Sequence, residues 1–562
     1  MPNTGLRQSS QNSTGSTMRD TREKLAEFVK AVVRTLPPEI RDRFPGTAVV
    51  QPAGKPEFGD FTTNICFRLA SPEMPPRQVA RIFLEEARRA LPRFICRVEE
   101  RNGFINFFLS PESVLEVIPD ILAAGHRYGS SSAGNGTRVL VEFVSANPTG
   151  PLTIAHGRQA ALGEAIARIL CFAGYTAHRE YYLNDSGRQM KLLGESLKAR
   201  YEQIHGKDTP VPEDGYQGEY LKEIARTITQ PPAGNDDFFR AYACEAILGT
   251  IRKDLADFGV AFDSWVNESA FHEAGLVTAT IEQLKEKGLV YFQDGAWWFK
   301  STSFGDEKDR VVVKSDGTVT YLLPDIVYHR NKISRGYHRL ITLLGPDHHG
   351  YVPRLRAAVQ ALGFDPDRLQ VIIVQLTTLY RSGEKMRMST RSGEFITLRE
   401  LIDEVGSDAA KFFFLFRRAE SHLDFDLDVA KKRSLDNPVF YLQYAYVRLL
   451  HILEYAKEQG YQTDALSKAD LSLLSEEAER NMAMHLGTFP DLVERVSRTL
   501  EVHLIAEYLL DLARGFHSYY HDHRIVGSNR RLSEARIALT QALLSVFSTA
   551  LSLLNISLPD RM

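Results

Sequence analysis

Cysteine is scarce in this sequence: there are four in 562 residues, Cys66, Cys96, Cys171 and Cys244. None is spaced C-x-x-C, which argues against a zinc ribbon and against a secreted disulfide scaffold, and fits buried thiols in a reducing compartment. No run reaches the ~18 apolar residues of a membrane span, and the N-terminus lacks the charged-then-apolar order of a signal peptide. A soluble cytoplasmic protein with no membrane partner is expected. An excess of charge is missing too: 68 basic against 71 acidic residues leave a net −3. That balance neither announces nor forbids a nucleic-acid partner, because a basic face can be offset by acid elsewhere. What is there, 43% hydrophobic and 25% charged residues, is ordinary globular usage, and it excludes wholesale disorder, collagen and coiled coil. The length predicts about three or four domains.

The texture changes along the chain. Residues 1–17, rich in Ser, Thr, Asn and Gly, cannot offset their ordering entropy and read as a disordered tail, with Met18 as an alternative start. Residues 18–129 read as an α+β domain. It has a helix over 21–36 on the spacing of Leu25, Phe28, Val29, Val32 and Val33, an arginine-rich helix over 77–89, and an apolar strand over 103–109. A Ser/Gly-rich linker follows at 130–136.

Residues 137–436 read as α/β. A strand over 138–144 and the turn Asn147-Pro148-Thr149-Gly150-Pro151 lead into a helix marked by Leu162, Ile166, Ile169 and Leu170, with Gly174 at its end. Strands over 340–344 and 371–375, with a helix over 353–362 between them, continue a doubly wound parallel sheet, whose ligands bind at the carboxyl ends of the strands. A long insertion is expected over about 176–309, then a hairpin over 311–321 turning on Asp316-Gly317. Residues 437–562 are almost wholly helical and form a separate bundle.

Chemistry should sit in the strand-turn-helix, where free helix N–H groups and a positive dipole suit a phosphate. That stretch has neither G-x-G-x-x-G nor G-x-x-x-x-G-K-[ST], so it is no dinucleotide fingerprint or P-loop. It reads Glu142-Phe143-Val144-Ser145-Ala146-Asn147-Pro148-Thr149-Gly150-Pro151-Leu152-Thr153-Ile154-Ala155-His156-Gly157-Arg158. This resembles the nucleotide-binding signature of class I aminoacyl-tRNA synthetases, and its lead-in resembles the bacterial arginyl-tRNA synthetases. The resemblance spans nearly the whole chain. It includes Phe58-Gly59-Asp60, Glu180-Tyr181-Tyr182-Leu183-Asn184-Asp185, Gly345-Pro346-Asp347-His348-His349-Gly350, Ser421-His422-Leu423-Asp424-Phe425-Asp426 and the closing Leu558-Pro559-Asp560-Arg561-Met562.

The resemblance implies an N-terminal α+β tRNA-binding domain, a Rossmann-like catalytic domain with insertions and a C-terminal all-α anticodon-binding bundle. It implies ligation of arginine to its tRNA through an arginyl-adenylate, with ATP and Mg²⁺, in a monomer without a protein-held metal. By motif match Glu142, Tyr321 and Asp325 resemble the residues that recognise the arginine side chain, and Ser145 and Asn147 those that hold its backbone groups. Pro151, Thr153, His156, Gly157, Asp347, His348, Arg387 and Met388 match ATP-binding positions; Thr153, His156, Lys385, Arg387 and Ser389 match catalytic ones. The sequence departs from the family at two points. Thr153 stands where the first histidine of an H-x-G-H tetrad is usual, and the K-M-S-K loop reads Arg387-Met388-Ser389-Thr390. Lys385, Arg387 and Arg391 are nearby cations that can make up for the missing lysine.

Plainer readings stand beside these. His156 at a helix start also suits a cap. Asp347-His348-His349 suggests a metal, but adjacent histidines face apart and no third ligand is spaced to help. Asp424, Asp426 and Asp428 alternate as in a calcium loop without its glycine and glutamate, as an extended segment would. Arg77, Arg81, Arg88 and Arg89 suit either a solvated helix face or RNA; Tyr441, Tyr444 and Tyr446 beside Arg448 suit either bundle core or base stacking. Two other functions remain in play: a non-catalytic tRNA-binding paralogue, favoured by Thr153 and Thr390, and a small-molecule nucleotidyltransferase, which would need neither end of the chain.

Overall fold

The computed structural model describes residues 18–54, 56–232, 237–386, 396–462, 466 and 468–562; the tail expected over 1–17 lies outside them. The N-terminal part is a four-stranded antiparallel sheet in the order β1-β2-β4-β3. Its strands are β1 (Val50–Pro52), β2 (Phe61–Thr63), β3 (Ile95–Arg101) and β4 (Phe104–Leu109). Asn102 and Gly103, both with positive φ, make the two-residue hairpin between β3 and β4. Helices Met18–Thr35 and Pro76–Arg89 lie in the same core, and Arg77, Arg81, Arg88 and Arg89 are exposed.

The central sheet is parallel throughout, in the order β12-β11-β5-β6-β7. Here β5 is Arg138–Glu142, β6 Thr176–Leu183, β7 Ser264–Asn267, β11 Arg339–Leu344 and β12 Leu369–Ile373. Strand β5, flanked on both sides, is buried beyond Arg138, which is why it reads as a continuous apolar run. Helix Ile154–Phe172 carries the chain from β5 to β6. A Cβ on its Gly163 would stand 2.1 Å from the Phe143 ring, so only glycine allows this approach of helix to sheet. One turn in, fully buried Arg158 donates to the carbonyls of Gln375 (2.9 Å), Ser421 (3.0 Å) and Arg418 (2.8 Å). It thus ties the helix to the loops at the sheet's far side.

Two expectations need correction. The stretch 176–309 is not all insertion, since it supplies β6 and β7 to the central sheet; the first half of β6, Thr176-Ala177-His178-Arg179, is polar and lacks a hydrophobic signal. Between them, helices Gly187–Ile204, Glu219–Thr227 and Phe238–Asp257 pack together. The segment 130–136 is no loose tether: Gly134 and Gly136 donate to the carbonyls of Ala173 and Gly174, both at 2.8 Å. The hairpin on Asp316-Gly317 forms as expected: Lys314 N donates to Thr318 O (2.8 Å) and Thr320 N to Val312 O (3.0 Å), around the bridge Val313↔Val319. Its first arm, strand β10 (Arg310–Val313), also joins β9 (Ala296–Phe299) and β8 (Val290–Gln293) in a small antiparallel sheet.

A further sheet, β14-β13-β15, joins β13 (Thr377–Arg381), β14 (Glu384–Lys385) and β15 (Leu423–Asp426). Asp426 caps the short helix after β15, accepting from Asp428 N (2.9 Å) and Val429 N (3.0 Å), so the aspartate alternation is a strand end and a cap. From Asn437, whose side chain caps helix Pro438–Glu458, the chain is a helical bundle. Its helix Arg530–Leu553 is long and apolar enough to cross a membrane, yet most of it is buried as the bundle's centre.

The parts share one apolar core that runs from Leu25 to Ile556. Polar ties cross between them as well. Asp60 accepts from Leu109 N (2.7 Å) and from Arg480 of the bundle (2.6 Å), and Asn555 donates to Gly259 O (2.9 Å).

Candidate active site

At the carboxyl end of β5 the backbone reverses through Val144 (φ +68°) and Ser145 (φ +40°). A β-branched residue in the left-handed region is an outlier that costs of order 1–3 kcal/mol. The turn is held by Ser145 N to Phe143 O (2.9 Å), Tyr182 N to Ser145 Oγ (3.1 Å) and Tyr181 OH to Ala146 O (2.8 Å). Its effect is to fold Ser145 back over Glu142, to whose Oε1 it donates at 3.2 Å. Beyond it, Asn147 donates to Gln189 Oε1 (2.7 Å), and Tyr220 OH reaches Thr149 O (2.5 Å). The loop is therefore pinned by helices that follow β6.

Thr153 is the N-cap of helix Ile154–Phe172, and His156 is the third residue within it. The Thr153 N–H donates to His156 Nδ1 at 3.1 Å, so the imidazole takes the part that glutamate or glutamine plays in a capping box. That bond fixes the tautomer: Nδ1 accepts, and the neutral ring carries its proton on Nε2. Burial lowers the His156 pKa to about 4, so the ring is neutral at physiological pH and offers an Nε2–H donor. The Thr153 hydroxyl lies 3.2 Å from the same Nδ1 and is turned inward, toward the imidazole. The cap and donor readings of His156 are thus compatible, one through each nitrogen. Gly157 faces the protein, since a Cβ there would meet Leu398 at 2.7 Å and the Phe414 ring at 3.2 Å.

The opposite wall is helix Leu322–Ser334. Its Asp325 accepts a hydrogen bond from Tyr351 OH. Burial, reinforced by the charges of Glu142 and Glu268 and opposed by Tyr351 and Lys332, lifts the Asp325 carboxyl to about 7. Two turns on, Lys332 places Nζ 2.5 Å from Glu142 Oε2. Glu180 accepts from Arg335 (2.5 and 2.7 Å), Tyr328 OH (2.8 Å) and Ser264 Oγ (2.7 Å). Burial raises its pKa, but Arg335 and Lys332 outweigh burial and leave it below the usual range. Glu268 accepts from Tyr182 OH and Ser186 Oγ, both at 2.7 Å, and Tyr182 stacks on Tyr328 at 4.3 Å.

The structure thus brings Glu142, Ser145 and Asp325 together: Ser145 bonds Glu142, Lys332 of the Asp325 helix pairs with Glu142, and the Glu142 charge bears on Asp325. Tyr321, expected to share Asp325's face, sits at the helix start with 72% of its surface exposed. Asp347 and His348 are exposed in the turn after β11, 3.5 Å from each other. From that segment it is Tyr351 that reaches Asp325, to which its hydroxyl donates. Lys385 is exposed at β14. Arg387, Met388 and Ser389, with Thr390 and Arg391, lie outside the described residues. Among the described residues no three His, Cys, Asp or Glu gather to hold a metal ion. The motif reading missed Lys332, Tyr351, Glu268 and Tyr328; the helical spacing from Asp325, three residues to Tyr328 and seven to Lys332, was the available signal for two of them.

In the bundle, a cavity of about 690 Å³ is lined by Tyr444, Arg448, His451, Tyr455, Tyr520 and Met562, among others. The Arg448 guanidinium lies over the Tyr444 ring (4.4 Å) and the Tyr520 ring (4.9 Å). Aromatic faces beside an arginine suit an unstacked base. Tyr446, by contrast, is buried in the core.

Residues 117–414, which hold this parallel sheet, the strained turn after β5 and the helix start with His156, match the family described as "tRNA synthetases class I (R), catalytic domain". The chain is a class I aminoacyl-tRNA synthetase. Residues 20–109 match "Arginyl tRNA synthetase N terminal domain" and residues 442–562 "DALR anticodon binding domain". The chain belongs to the arginyl-tRNA synthetases. It is 45% identical to an arginine–tRNA ligase of Desulforamulus reducens, over 90% of this chain and 92% of that one. It is 41% identical to one of Bacillus subtilis, over 96% and 99%. The fold is that of the Thermus thermophilus arginyl-tRNA synthetase, with TM-score 0.76 at 22% identity, covering 96% of this chain and 100% of that one.

Proposed function

We propose that this chain ligates arginine to its tRNA in two steps. An oxygen of the arginine carboxylate attacks the α-phosphorus of ATP, pyrophosphate leaves, and arginyl-adenylate forms. A hydroxyl at the tRNA 3′ end then attacks the activated carbonyl and AMP leaves. The observation that carries this reading is the ion pair of Lys332 with Glu142, which docks the helix of Asp325 onto the end of β5, from which the chain runs on to the His156 helix start. A guanidinium needs carboxylate and neutral acceptors in one plane, since a buried unpaired charge costs several kcal/mol.

In this reading Glu142 and Asp325 hold the guanidinium and Tyr321 stands at its entrance. Ser145 and Asn147 hold the substrate's amino and carboxyl groups. His156 donates Nε2–H to a phosphate oxygen as negative charge builds there, at a helix start shaped by Pro151, Thr153 and Gly157. Asp347 and His348 border the nucleotide, while Lys385, Arg387, Met388 and Ser389 belong to the segment that meets pyrophosphate. Mg²⁺, brought in with ATP, would offset charge on the phosphates; among the described residues no group of three His, Cys, Asp or Glu would hold it. The bundle cavity takes an anticodon base. The enzyme works as a monomer in the cytoplasm.

The test is arginine-dependent exchange of pyrophosphate into ATP, with and without arginine-accepting tRNA and with lysine as control. Exchange with arginine and not lysine supports the ligase. Intact tRNA binding with no exchange under any condition overturns it in favour of a non-catalytic paralogue.

A further inference from the structure

Lys332 carries a charge that the reaction set out above does not use. It is fully buried, where a lysine persists only if paired. Its Nζ lies 2.5 Å from Glu142 Oε2 and 4.0 Å from the centre of the Tyr328 ring. It stands two turns beyond Asp325 on the same face of the helix. Glu142 is thereby divided between two tasks. Oε2 accepts from Lys332 and, at 3.2 Å, from Thr342 Oγ1, whereas Oε1 accepts from Ser145 at 3.2 Å. Among the described residues Oε1 is met by one hydroxyl and no cation, and it is the oxygen that remains for a substrate.

The arrangement treats two cationic side chains differently. A guanidinium is planar and spreads its charge, so it can reach Oε1 and Asp325 together while keeping its charge off Lys332. A compact ammonium concentrates its charge at one point, on a carboxylate that already holds an ammonium. Like charges sharing a buried partner repel without the relief of solvent.

We propose that Lys332 is a specificity-determining positioning residue of the amino-acid pocket. It reserves one oxygen of Glu142 for arginine and makes the pocket hostile to amino acids that end in an ammonium, lysine and ornithine. This rests on the reading that Glu142 and Asp325 hold the guanidinium.

The experiment compares lysine with norleucine, its uncharged analogue, as inhibitors of arginine-dependent pyrophosphate exchange by the full chain with tRNA. In the wild-type enzyme norleucine binds at least as tightly as lysine, although the pocket is acidic. In Lys332→Gln, which keeps a donor for Glu142 without its charge, lysine inhibits tenfold more tightly or better and the order reverses, while KM for ATP stays put. Lysine binding the wild type tenfold more tightly than norleucine overturns the proposal. So does an unchanged order in a Lys332→Gln protein that still binds tRNA. The wild-type comparison decides alone if that variant does not fold. Glu142→Gln separates the two readings: an unchanged arginine KM there removes the pocket assignment itself, whereas unchanged selectivity in Lys332→Gln removes only the role of the lysine.

Discussion

Replacing His156 by asparagine and by glutamine separates what its two ring nitrogens do. Asparagine keeps an acceptor near Nδ1, and with it the bond from Thr153 N–H (3.1 Å), but loses the Nε2 donor. Glutamine puts an amide N–H near Nε2 and loses the cap acceptor. Loss of one aligned donor to a developing oxyanion costs about 10²- to 10³-fold in kcat, so His156→Asn should fall by that factor with stability nearly intact. Loss of a cap costs about 1 kcal/mol, so His156→Gln should unfold more easily while keeping more of its rate. The pH dependence follows from the same geometry. Burial moves the ring from 6.5 to about 4, so its protonation should leave no acid limb in kcat near 6.5. The unfolded chain takes up that proton first, so native stability falls as pH drops from 6.5 toward 4. At 1.36 kcal/mol per pH unit this amounts to about 3 kcal/mol. The assays are pyrophosphate exchange from pH 5.5 to 8.5 and thermal unfolding from pH 4 to 8.5. A His156→Asn enzyme within threefold of wild type, or one that outperforms His156→Gln, refutes the assignment of the nitrogens.

Asp325, lifted to about 7 by burial and by Glu142 and Glu268, is protonated below that pH, so KM for arginine should rise about tenfold per pH unit below 7. Asp325→Asn should flatten that rise and, because the buried carboxylate costs stability as pH climbs through 7, melt higher than wild type at pH 8; a pH-independent wild-type KM refutes this. Gly163→Ala drives a Cβ to 2.1 Å from the Phe143 ring and should cost about 3 kcal/mol by calorimetry; an unchanged Tm refutes the close approach. Arg480→Met removes the charged donor to Asp60, whose carboxyl burial already raises. It should lose about 2 kcal/mol in denaturant unfolding, and no loss means the tie contributes nothing.

The parts of the fold that were legible in the sequence are those whose burial is uniform. Strand β5 is covered on both sides, and the helix after it packs most of its surface, so both stand out as apolar runs. Strand β6 begins with Thr176-Ala177-His178-Arg179, half exposed, and was absorbed into an insertion for want of a hydrophobic pattern. At the site, Glu142, Ser145 and Asp325 were singled out by their motif resemblance to the arginyl-tRNA synthetases, and the contacts of Lys332 and Ser145 with Glu142 bring them together. Lys332 and Glu268 were not: a charged residue on a helix reads as surface, and only the tertiary meeting of Lys332 with β5 reveals it as interior. Asp347 and His348 drew attention through their chemistry, while their neighbour Tyr351, an ordinary aromatic, makes the contact.

The apolar core shared from Leu25 to Ile556 limits how the enzyme can be taken apart. A cut after the catalytic sheet strips Phe489 from Gly129 and Asn555 from Gly259, and leaves an oily scar where the bundle was. A shortened chain that fails to work therefore says little about which part held the activity. Exchanging single residues along the seams, rather than whole segments, is how this enzyme's division of labour is to be mapped, and a chimaera with a relative's bundle needs both faces of the seam transplanted together.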